Sequence, residues 1–206
     1  MLRRKIFFFV FVFLFGCASE RIFTYRDLAG VQEEIRIVYV KAVVDEEYRQ
    51  MERNWKEKIP DSIQAASAQF EKQFKIRFVL TEIEEWNSES PNNNRALLFQ
   101  EIKKKFPIVS DIDIIIAFTH QKSSYVWWLG TAEQLGNYVL IGIAGYPKKQ
   151  TLVHEIGHIF GAIDYDGYHG SSYSVMNYDF WKTTEYFDKE NAEKIMENKW
   201  RKYYTS

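Results

Sequence analysis

His154-Glu155-Ile156-Gly157-His158-Ile159-Phe160-Gly161-Ala162-Ile163-Asp164 is the stretch that organises the rest of the chain. It begins with H-E-x-x-H. Residues i and i+4 share one helical face, so His154 and His158 can offer ring nitrogens to a single ion. Glu155 lies about a quarter turn away, within reach of a water on that ion without being a ligand. A glycine at position 161 suits a helix end with positive φ, which turns the chain back toward the ion. Asp164 follows as a candidate third ligand, with Asp166 and His169 in the next few residues as rivals and His169 the stronger of the two. Two imidazoles and a carboxylate leave one coordination position open, as in catalytic rather than structural zinc sites.

Downstream stands Ser174-Val175-Met176-Asn177-Tyr178. Taken together, H-E-x-x-H-x-x-G-x-x-D and S-V-M-x-Y resemble the metzincin zinc metallopeptidases, with Asp164 where most members carry a third histidine, as in the snapalysin-type members. The resemblance spans roughly residues 31–204, although its specific motifs lie within 154–178. It implies one catalytic Zn2+ held by His154, His158 and Asp164. It makes Glu155 the general base and Met176 the Met-turn, a hydrophobic floor beneath the metal. Tyr178 stands where some members place a tyrosine near the metal, as a fifth ligand or as a donor to the oxyanion. The implied fold is a mixed α/β (α+β) one. Its twisted, mostly parallel five-stranded sheet has an antiparallel edge strand, and a small C-terminal part holds the Met-turn and a last helix. Substrate lies in the cleft between the two parts, paired with the edge strand. Tyr125, Val126, Trp127 and Trp128 are the candidates for that strand or for a mobile aromatic loop; the Trp pair reads first as core, and otherwise as lining a substrate pocket or touching the membrane.

At 206 residues, 46% of them hydrophobic and 17% aromatic, the chain suits one folded domain. A net charge of -1 gives no reason to invoke nucleic acid. Arg3, Arg4 and Lys5 precede the apolar run Ile6–Phe15, which is too short to span a bilayer as a helix and reads as an export signal. Leu14-Phe15-Gly16-Cys17 resembles a lipobox; the other reading is ordinary signal cleavage nearby. Cys17 is the sole cysteine, so no disulfide can form within the chain, and acylation gives an exported thiol a use. The expected organisation is a signal over 1–16, a tether over 17–30 and a peptidase domain over 31–206, with an upper part to about 161 and a lower part beyond.

Strands are expected over 35–44, 75–83, 111–119 and 138–143, from their β-branched and apolar content. Residues 46–74 form either one kinked helix or two pieces, with Pro60 as the interruption, Asp61 and Gln64 as a capping pair, and Tyr48, Met51 and Trp55 at helical spacing. Further helices are expected over 95–106, after Pro147 around the zinc motif, and from Asp188 onward, the last with Ala192, Ile195, Met196 and Trp200 as its buried stripe. His120 reads as a strand-end residue. The function expected is a monomeric, lipid-anchored zinc endopeptidase of the cell envelope, on the outer membrane or facing the periplasm, acting on polypeptides. The alternative is a non-catalytic envelope lipoprotein that binds zinc or a partner on the same scaffold.

Overall fold

Runs of β-branched residues supply the sheet, and amphipathic segments cover it. A computed structural model describes residues 34–89, 94–121, 129–142, 149–165, 174–177 and 184–203. In chain order the elements are β1 (Arg36–Val44), α1 (Glu46–Met51), α2 (Trp55–Phe74), β2 (Ile76–Glu85), α3 (Arg95–Lys105), β3 (Ile114–Thr119), β4 (Gly130–Ala132), β5 (Tyr138–Gly142), α4 (Lys149–Ile159) and α5 (Lys189–Glu197). The five strands lie in the order β2-β1-β3-β5-β4. All pairings are parallel except β4 with β5. This is the mixed sheet that the element order suggested, with the antiparallel edge that the metzincin resemblance implied. Among the described residues no helix is long and apolar enough to cross a membrane.

The order explains the layering. From β1 the chain steps to β2 on one side, then crosses back over β1 to β3. Crossovers of one hand that step in opposite directions leave their helices on opposite faces. Alternate residues of β1 accordingly serve two cores. Val38, Val40, Ala42 and Val44 pack toward α2 and α4, with Phe70, Phe74 and Phe160. Val43, with Ile115, Ala117, Tyr138 and Leu140, packs under Leu98, Ile102 and Phe106 of α3 and the turn after it. Every residue of β3 is buried, as a central strand covered on both faces requires. Phe70 joins the elements on the first face: its ring lies 5.1 Å from that of Phe78, 5.9 Å from that of Phe160 and 5.3 Å from that of Phe187.

Four expectations are corrected. Residues 46–74 form two helices, but the break falls at 52–54 and not at Pro60, which lies inside α2. Pro60 is close enough to the start of α2 that its missing N–H deprives only the carbonyl of Lys56, an exposed residue that water reaches. Asp61 and Gln64 are therefore interior helix residues; the capping carboxylate is Asp45, which accepts from the Tyr48 N–H at 2.8 Å. Met51 is exposed, not part of the core. Trp200 lies beyond the end of α5 and is half exposed, stacked against Arg36, so it does not extend the buried stripe.

Candidate metal centre

Helix α4 carries His154, Glu155 and His158. Leu152, Val153, Ile156 and Ile159 bury its other faces. The helix ends in a Schellman turn. Gly161 adopts φ +88, its N–H bonds to the carbonyl of His158, and the Ala162 N–H reaches back to the carbonyl of Gly157. That turn does two jobs. It reverses the chain so that Asp164 faces the histidines, and it brings the Ala162 carbonyl to 2.8 Å from His158 Nδ1. The Val175 carbonyl, in the segment that resembles a Met-turn, stands 2.9 Å from His154 Nδ1.

A carbonyl oxygen only accepts, so each Nδ1 must carry the proton and donate. Each neutral imidazole then has its lone pair on Nε2. Those two Nε2 atoms lie 3.0 Å and 3.4 Å from one oxygen of Asp164. The three ligand atoms all lie within 4.8 Å of one another. Three acceptors pointed at one spot repel unless a proton or a cation stands between them. Burial works against the charged imidazoles, but Asp164, Glu155 and the backbone carbonyls of Val175 and Ala162 together raise both His154 and His158. A divalent ion satisfies all three donors at once, and two imidazoles with one carboxylate are a zinc donor set. The residues present therefore fit the group.

Glu155 is buried at 6% exposure beside this cluster. Burial pushes its carboxyl up to about 7, against the pull of His154 and His158. Room for it comes from the edge strand: a Cβ on Gly130 would stand 2.6 Å from Glu155 Oε1. On β4 the Leu129 carbonyl and the Glu133 N–H bond across to β5, and the register pairs Thr131 with Leu140. The backbone groups of Gly130 and Ala132 consequently point away from β5, toward the sheet's outer edge. The described edge strand thus begins just after Tyr125–Trp128, which lie outside the described residues, as do Cys17, Asp166, His169 and Tyr178.

Met176 is fully buried, and its sulfur would lie 3.0 Å from a Cβ on Gly157, so it lines the underside of α4 between the two histidines. Phe187 sits beside it. Sequence reasoning missed what holds these parts together. Gln73, fully buried on α2, donates to the Phe187 carbonyl at 3.0 Å and accepts from the Phe187 N–H at 3.2 Å. Asn191 on α5 makes a like pair of bonds to Ile163. Ser174 donates to Asp188 at 2.6 Å and accepts from the Met176 N–H at 3.2 Å. The capping aspartate Asp188 was legible; its partners across the chain were not. His120 stands at the end of β3 beside Glu52, far in sequence from the histidine pair and outside the metal-ligand cluster.

A parallel sheet with an antiparallel edge, a helix bearing two converging imidazoles, and a buried glutamate against that edge define a metzincin-like metallopeptidase. The chain belongs to metallo-peptidase family M12, whose family model matches residues 34–201. Among solved structures it is similar to archaemetzincin from Methanopyrus kandleri, at a TM-score of 0.56 and 13% identity, over 84% of this chain and 100% of that one. It is also similar to a chain from the "Structure of a chaperone-substrate complex", at a TM-score of 0.55 and 13% identity, over 80% of this chain. This chain spans 34% of the length of the latter. At such identities the likeness shows the fold alone. No curated protein sequence matches the chain.

Proposed function

We propose that the chain is a zinc endopeptidase, tethered to a membrane by acyl chains on Cys17, that cleaves extended polypeptides outside the cytoplasm. The observation that carries the peptidase reading is the convergence of two Nε2 atoms, each fixed by an Nδ1–H bond to backbone, on Asp164. Zinc, when bound, supplies Lewis acidity to a water and to the scissile carbonyl. His154, His158 and Asp164 hold it. Glu155 takes the proton from the attacking water and hands it to the leaving amine. The outward backbone groups of Gly130 and Ala132 receive the substrate as an added antiparallel strand, which grips any extended peptide by its main chain. Tyr178 is assigned as a donor to the oxyanion and His169 as the alternative third ligand. Cys17 behind an apolar run supports the lipid anchor, and a monomer in the envelope, on the outer membrane or facing the periplasm, goes with it.

The test is zinc analysis of a 20–206 fragment together with cleavage of a degenerate peptide library, for the wild type and for Glu155→Ala. A peptidase keeps its zinc in the variant and loses hydrolysis by about 10²–10⁴-fold, the usual worth of a positioned general base. A non-catalytic zinc- or partner-binding lipoprotein shows stoichiometric metal and no cleavage in either form. Metabolic labelling with a palmitate analogue, lost in Cys17→Ser, checks the anchor.

A further inference from the structure

We propose that Asn191 is a positioning residue for the metal centre: from α5 it clasps the backbone of Ile163 and so delivers Asp164 to the two imidazoles. This rests on the reading of His154, His158 and Asp164 as the zinc ligands.

The geometry of the clasp is specific. Asn191 is fully buried. Its Oδ1 accepts from the Ile163 N–H at 2.8 Å, and its Nδ2 donates to the Ile163 carbonyl at 3.1 Å. The second Nδ2 proton goes to Asp188 Oδ2 at 2.9 Å. Both donors and the acceptor of the carboxamide are engaged, and a flipped amide would set like against like at each contact. The side chain therefore acts as one residue of a neighbouring strand, holding both backbone groups of a single residue.

What it holds is the approach to Asp164. Upstream, Gly161 gives the backbone its least restricted residue. The Ile163 side chain is itself exposed and offers little packing. Downstream, the Tyr165 N–H bonds to the Met176 carbonyl at 2.9 Å. Asp164 is thus bracketed by two pinned neighbours, one held by α5 and the other by the Met176 turn. Without Asn191 one bracket is gone. The third ligand then pays an ordering entropy on binding that the folded wild type has already met.

The experiment is a double-mutant cycle on zinc affinity, measured by competition with a chromophoric chelator. It uses the wild type, Asn191→Leu, Asp164→Ala and the double variant, with melting temperatures of the metal-free forms. Asn191→Leu is expected to weaken zinc binding about 10–100-fold, the usual effect of removing a group that orients a ligand. In the Asp164→Ala background the same change is expected to cost nothing further, because no third ligand is left to orient. Lys199→Met serves as a structural control. It removes a buried bond from Lys199 Nζ to the Glu34 carbonyl at 2.6 Å, just beyond α5, and should lower the melting temperature while leaving zinc affinity unchanged. If Asn191→Leu does not fold, Asn191→Asp replaces it. That variant keeps the acceptor for Ile163 and loses both donors, so it too should bind zinc more weakly.

Wild-type affinity in the Asn191 variants overturns the proposal, and so does an undiminished loss in the Asp164→Ala background. A wild type that takes up no zinc overturns the metal-centre reading itself, a different result from zinc uptake that ignores position 191.

Discussion

At the scale of single residues the centre depends on what is missing as much as on what is present. Gly130 has no side chain where a Cβ would meet the carboxylate, Cγ and Cδ of Glu155, all within 3 Å. Gly130→Ala is expected to push Glu155 aside. In the proposed role of Glu155 as general base, a displacement of about 1 Å is expected to cost on the order of 10²-fold in kcat/KM. Zinc content should not change, since Glu155 lies outside the group of candidate ligands. Peptide cleavage and metal analysis on one preparation check both halves, and a variant at full activity would show that the strand gives way instead. The motif residues were legible because a helix turns a fixed spacing into a fixed direction. Gly130 was not, since the residue it makes room for lies 25 positions on, across a sheet edge whose register no local pattern sets.

At the scale of elements, α4 is wedged between two groups of partners. One face presents imidazoles; the side bearing Gly157 rests on Phe187 and Met176. A Cβ there would stand 2.7 Å from the Phe187 ring. Gly157→Ala is expected to destabilise the fold by about 1–3 kcal/mol through overpacking, despite alanine's better helix propensity. Thermal melts of the metal-free protein check the sign. Elements with strong periodicity or apolar runs were readable to within a few residues: β1, β3, β5, α3 and the cap of α5 at Asp188. The helices after β1 were not. Pro60 looked like the breaker, yet its position near the start of α2 makes it tolerable, and the true break follows the Glu52 N–H bond to Tyr48 that closes α1. Trp200 failed as a core residue for a related reason: α5 stops before it. The clasps of Gln73 and Asn191 join residues 114 and 28 positions apart, and nothing in a lone amide side chain announces such a partner.

For the whole molecule, two predictions concern conditions and not contacts. Asp45 is fully buried where β1 ends, and burial pushes its carboxyl up to about 7 despite bonds from Thr119 and the Tyr48 N–H. Glu47 beside it is raised by burial as well. A folded-state value above the unfolded one, about 3.9, means the protonated form favours folding. The contribution is complete below about pH 4 and is lost as pH rises through about 7. Asp45→Asn, which keeps a capping side chain, should flatten the fall in melting temperature across that window relative to the wild type. The second prediction concerns metal removal. His154 and His158 come from α4, while Asp164 belongs to the segment held by α5 and the Met176 turn. Chelation should speed amide exchange in 162–165 and 189–197 more than in β1 or β3, as hydrogen–deuterium exchange with and without zinc would reveal.

The clasp on Ile163 also sets a timetable. Residue 191 is made after His154, His158 and Asp164, so the three candidate ligands emerge before the side chain proposed to order them. On that reading, a nascent chain is expected to hold zinc more weakly than the finished one.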